Sequence, residues 1–148
     1  MATDANSAIR AGTVGVGLHN VGSYQSSGIP YVTGSADMAA SGSAGMQDKI
    51  EFPTVTKSVT LINTGTSELR LHFADATTET ATWTQFHYVA LPHNKDSVTL
   101  NVKCSDIYVS NAGTGTGKYT LFAELTNIPR ERMFKLSGSG INEDTRDA

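Results

Sequence analysis

The tightest constraint in this sequence is a period of two. Across residues 97–104, Val98, Leu100, Val102 and Cys104 alternate with Thr99, Asn101 and Lys103. Successive side chains of an extended strand point to opposite faces, so the pattern builds a strand with one buried and one wet face, whereas a helix would scatter the same four residues around its axis. The pattern recurs. Val59 and Leu61 alternate with Ser58 and Thr60, and the run stops at Asn63-Thr-Gly65, which reads as a hairpin turn with Gly65 at positive φ. Leu69, Leu71 and Phe73 then oppose Glu68, Arg70 and His72, which directs His72 outward. Further strands are expected over 83–91, 107–110 and 119–125, with a last edge strand over 133–136. Ile128-Pro129 ends or displaces the strand before it, because proline lacks the amide donor that a central ladder needs. No stretch of helical length carries an apolar stripe with a 3.6-residue period. The expected fold is an all-β antiparallel β-sandwich, jelly-roll-like or immunoglobulin-like, with an extended N-terminal arm.

The arm is read from texture. Residues 1–49 are dominated by Gly, Ser, Ala and Thr, too little apolar surface to offset the entropy of ordering them alone. Leu18, Tyr24, Ile29 and Tyr31 are spaced through the segment as anchors for assembly contacts. The division is therefore a flexible arm over 1–49 that orders on assembly, a sandwich over 50–141 and a charged tail over 142–148. The alternative is that residues 29–33 supply an edge strand to the chain's own domain.

Charge and cysteine content exclude several classes. The 148 residues carry a net charge of −3 with eleven scattered Lys and Arg, so the basic footprint that holds phosphate backbones is missing and nucleic acid is not an expected partner. No segment approaches the roughly 20 apolar residues that cross a bilayer, and residues 1–11 contain no apolar run, so neither a membrane nor a secretory signal is expected. Cys104 is the only cysteine, which rules out an intrachain disulfide, and its phase with Val98, Leu100 and Val102 makes it a buried hydrophobe.

Motifs that imitate active sites fail on named residues. Gly113-Thr-Gly-Thr-Gly-Lys118 resembles a phosphate loop, but Ala112 stands where the first glycine belongs, Tyr119 follows the lysine, and a strand pattern replaces the helix. His72, His87 and His93 form neither an HxH pair nor an HExxH helix, so no metal and no cofactor is expected. No serine sits in a nucleophile elbow, and no catalytic residue is expected. Trp83 and Tyr88, with Phe86 between them, are the densest aromatic patch, either core material or a platform for stacking a sugar. Arg130 and Arg132, with Lys135, form the one local basic cluster, a candidate for salt bridges between subunits.

Five phrases taken together carry a family resemblance. They are Lys57-Ser-Val-Thr-Leu-Ile-Asn63, Glu68-Leu-Arg-Leu-His-Phe73, His87-Tyr-Val-Ala-Leu91, Val102-Lys-Cys-Ser-Asp-Ile-Tyr-Val-Ser110, and Ala123-Glu-Leu-Thr-Asn-Ile-Pro-Arg-Glu-Arg-Met133 with Leu136-Ser-Gly-Ser-Gly140. Over residues 50–141 the chain resembles small virion structural proteins of tailed phages, especially cyanobacterial phages, of the head decoration or cement kind. The resemblance implies a non-enzymatic homo-oligomeric protein of the virion, assembled in the host cytoplasm, whose partners are other virion proteins and foremost the major capsid protein. A tail, fibre or shell component is the alternative within that class, and a carbohydrate-binding module the alternative outside it.

Overall fold

The computed structural model describes residues 16–78 and 81–141. Among the described residues eight strands form in chain order: β1 (Ile29–Met38), β2 (Gln47–Glu51), β3 (Thr54–Asn63), β4 (Leu69–His72), β5 (Val89–Leu91), β6 (Ser97–Leu100), β7 (Asp106–Asn111) and β8 (Gly117–Pro129). They make two four-stranded sheets, β1-β8-β3-β6 and β2-β7-β4-β5, with every pairing antiparallel. The pairs nest: first with last, second with seventh, third with sixth, fourth with fifth. Nested pairing across two sheets is the jelly roll, and it differs from the immunoglobulin order. Among the described residues the helical pieces are single turns, α1 (Val21–Gln25) and α2 (Ala81–Thr84), plus a 3-10 turn at Arg130–Arg132.

The core lies between the sheets. Val59 and Leu61 of β3 and Leu121, Ala123 and Leu125 of β8 face Leu69, Leu71, Leu91, Ile107 and Val109 of the other sheet, all buried. Cys104 joins this core, where burial pushes its thiol pKa up to about 11 and keeps it unreactive. Ile128 is out of phase with Leu121 and Leu125. It instead forms a second small cluster with Val55 and Leu18, covered by Val16, Tyr24, Met133 and Phe134.

Nesting forces several corrections to the sequence reading. The boundary at Ile50 falls inside β2, and residues 29–38 form β1, paired with β8 from Ile29↔Leu125 to Met38↔Gly117. The edge-strand alternative thus describes these residues, and it extends past Thr33. Gly34 allows the pairing, since a Cβ there would lie 2.5 Å from the Tyr119 carbonyl oxygen. Residues 1–15 of the expected arm and the tail over 142–148 lie outside the described residues. The turn at Asn63-Thr-Gly65 makes no hairpin, because β3 and β4 belong to different sheets and Gly65 does not take positive φ. The strand expected over 83–91 is a helical turn followed by only three strand residues, β6 stops at Leu100, and residues 133–136 come after the 3-10 turn without joining a sheet.

Candidate interaction surfaces

The outer face of the second sheet carries an aromatic cap. His72 does point away from Leu69 and Leu71, but it is fully buried, because the β4–β5 connection folds back over it. Its ring lies parallel to Tyr108 at 5.7 Å and edge-on to Trp83 at 5.2 Å, and Trp83 meets Tyr88 at 5.4 Å. The Arg70 guanidinium sits over both Trp83 (4.9 Å) and Tyr88 (4.2 Å) and is fixed by Glu68 at 2.7 Å. Trp83 and Tyr88 are therefore half-buried and engaged with each other and with Arg70, and neither belongs to the sandwich core.

His72 is held neutral. Its Nδ1 lies 2.7 Å from the Ala74 carbonyl, which can only accept, so the proton is on Nδ1 and Nε2 accepts from the Ser110 hydroxyl at 2.7 Å. Burial lowers its pKa, outweighing the Ala74 hydrogen bond and the Asp75 charge that favour protonation, and Arg70 lowers it further. The native state thus binds this proton less readily than the unfolded chain does. Its stabilising effect is complete above the unfolded value of about 6.5 and is lost as pH falls through the lower folded value. Melting temperature should decline on acidification from pH 7, before carboxylates titrate, and a His72→Gln variant should show a flatter profile. Equal slopes for the two proteins would remove His72 as the cause.

Phe86 forms the rim of this cap, its ring tilted against Tyr88 at 6.2 Å and 74% exposed. Two hydrogen bonds close the end of α2, His87 N–H to the Thr82 carbonyl at 3.0 Å and Phe86 N–H to the Trp83 carbonyl at 3.4 Å. This is the Schellman pattern, and it places Phe86 in the left-handed region at φ 59°. Glycine usually occupies that position, and a Cβ there costs roughly 1–2 kcal/mol. A large apolar ring at high exposure on a strained backbone position is an outlier that suggests use.

A second apolar surface lies on the outer face of the first sheet. Val32 on β1 is 65% exposed and pairs in register with Phe122, which neighbours Thr60 on β3, which in turn faces Thr99 on β6. Thr60 and Thr99 share a 3.0 Å hydroxyl hydrogen bond. This row crosses all four strands without a charge. The row belongs to the first sheet and the Phe86 ring to the cap over His72 of the second, so the two lie on different sheets of the sandwich.

The other expected contact residues are distributed unevenly. Leu18 is buried in the second cluster, and Tyr24 donates to its carbonyl at 2.7 Å, so these two anchor residues 16–28 to their own domain. Ile29 is exposed at the start of β1, and Tyr31 packs edge-on against Phe52 at 5.3 Å. Arg130 is committed internally, donating to the Phe52 carbonyl at 2.7 Å and to Asp106 at 2.8 Å, while Arg132 is exposed. Beside the second cluster an apolar cleft of about 350 Å³ is lined by Leu18, Phe73, Val102, Met133, Phe134 and Ile141 among others. The glycine loop imitating a phosphate site is braced by Asn111, whose side chain accepts from Gly113 N–H and donates to the Gly115 carbonyl.

Sequence reasoning missed Val32 and Phe122 as exposed residues and Arg70 as a stacking partner. The one available signal was parity, since Val32 is out of phase with Tyr31 and Phe122 with Leu121. No family model, no curated protein and no solved structure matches this chain.

Proposed function

We propose that this chain is a non-enzymatic structural protein of a virion, present in many copies and decorating or cementing a phage head shell through contacts made from several sides at once. The observation that supports it is the separation of its exposed apolar side chains. Val32 with Phe122, Phe86 with Val89, and Ile141 at the apolar cleft lie on different parts of a small sandwich. One binding partner needs one patch, whereas several patches set apart suit a protein with several neighbours, and weak contacts repeated on a lattice become collectively strong. The other virion proteins, foremost the major capsid protein, are the partners in this reading. The glycan alternative finds less support, because Arg70 already occupies the space over Trp83 and Tyr88.

Phe86→Gly tests the reading without a folding artefact. Glycine relieves the left-handed strain while giving up the tilted contact with Tyr88, so the variant should stay within about 1 kcal/mol of the wild type. It should nevertheless be depleted from purified particles, where mass spectrometry of the wild type should find shell-like copy number. Absence of the wild-type chain from particles, or only a few copies at the tail, would overturn shell decoration.

A further inference from the structure

A jelly roll has four sheet edges, and each exposes unpaired backbone donors and acceptors that another strand can take up. Three of these edges are guarded. β5 has three residues, β6 has four, and β2 reads Gln-Asp-Lys-Ile-Glu, with three charges in five positions. β1 is different. It runs ten residues, Ile-Pro-Tyr-Val-Thr-Gly-Ser-Ala-Asp-Met, with Asp37 as its only charge, and among the described residues it pairs with β8 alone. Among the described residues its protection is confined to its ends, with Pro30 near the start and a register irregularity after Ser35. Between them lies an uncharged open window, Tyr31 to Ser35.

We infer that β1 is a self-pairing edge: the window 31–35 joins antiparallel to the same window of a second copy about a two-fold axis at Thr33. The strand itself selects the occupant. A five-residue window with capped ends pairs with its own copy in one centred register, Tyr31 opposite Ser35, Val32 opposite Gly34, and Thr33 opposite Thr33. The joined sheet then has eight strands and keeps both Val32–Phe122 pairs on one face, extending the uncharged row across the axis. Neither copy brings a charge to the junction. About 17 Å of strand pairing alone buries less than the roughly 1,000 Å² of a stable complex, so the contact is weak in dilute solution and consolidates where copies are crowded.

This inference goes beyond the proposed function, and the two fail separately, since one reads the β1 edge and the other reads particle incorporation through Phe86. Thr33→Cys in the full chain tests the edge. Opposed Cα atoms of an antiparallel pair lie about 4.5–5.5 Å apart, within disulfide range, and the native Cys104 is buried and silent. Mild oxidation should give a disulfide-linked dimer at least tenfold more abundant than that from Thr99→Cys on the guarded β6 edge. Adding Val32→Lys, a substitution at an exposed side chain, should remove that excess. Dimer yields equal to the Thr99→Cys control, or yields indifferent to Val32→Lys, would overturn the inference. Amide exchange on the unmodified chain provides a second reading, with protection over 31–35 rising with protein concentration. Protection over 31–35 that does not change with protein concentration would overturn self-pairing.

Discussion

Replacing Asn63 by leucine should destabilise the protein by about 3 kcal/mol or more, although leucine fits a core lined by leucines. Asn63 is the last residue of β3 and is fully buried where the chain crosses from one sheet to the other. Its Nδ2 donates to the Ser67 carbonyl at 2.8 Å and to the Leu91 carbonyl at 2.9 Å, and its Oδ1 accepts from Gly65 N–H at 3.0 Å. Leucine would take a hydrogen bond from each of three backbone groups, at about 1–3 kcal/mol for a group left buried and unsatisfied. Asn111 repeats the device at the end of β7, accepting from Gly113 N–H and donating to the Ala39 and Gly115 carbonyls. Gly115 is exposed, so water replaces part of what Asn111→Leu removes and that variant should lose less. Urea unfolding checks both: the midpoint should fall most for Asn63→Leu while the slope is unchanged. Equal losses for the two variants would mean that burial of the freed groups does not set the cost.

These two asparagines also mark where sequence reading stops. The alternation in Leu69–Leu71, Ile107–Val109 and Tyr119–Leu125 is legible because both sheets bury one face and the other is polar or covered from afar. The course of the chain beyond Asn63 is not legible. A turn sequence records that the chain reverses or breaks, but not whether the next strand remains in the same sheet. β1 is legible only in part, as the edge-strand alternative over 29–33, and for another reason. Its inward residues Tyr31, Thr33 and Ser35 are only half-buried at the open side of the sandwich, so no apolar alternation is needed there. Parity gave His72 the correct side and the wrong environment, because the cover arrives from residues 81–88. The residues around Trp83 have strand-like composition, yet tertiary packing on Arg70 and His72 turns them into a helical turn. Of the expected contact residues, the sequence located Ile29 and Arg132 on the surface but could not reveal that Leu18 and Arg130 are committed within the domain.

Phe52→Ala should cost about 3–5 kcal/mol, a large share of the 5–15 kcal/mol that holds an ordinary domain together. Phe52 lies between β2 and β3 and is fully buried. Its backbone is tied on both sides, with its N–H donating to the Ser105 carbonyl at 2.9 Å and its carbonyl accepting from Arg130. Alanine preserves both bonds, so the loss comes from the ring. That ring supports Tyr31 edge-on, and Tyr31 is the inward-facing residue that begins the open window of β1. The variant should therefore show more than a lower urea midpoint: amides over 29–38 should exchange faster than those of β3, where the β8 ladder remains packed. Tyr31→Phe retains the edge-on contact and should leave β1 exchange near the wild-type rate. If Phe52→Ala lowered protection evenly across all eight strands, β1 would be held by the global fold rather than by this contact. Rapid proteolysis within 29–38 in the folded wild type would go further, returning those residues to the character of an arm that the β1–β8 pairing denies them.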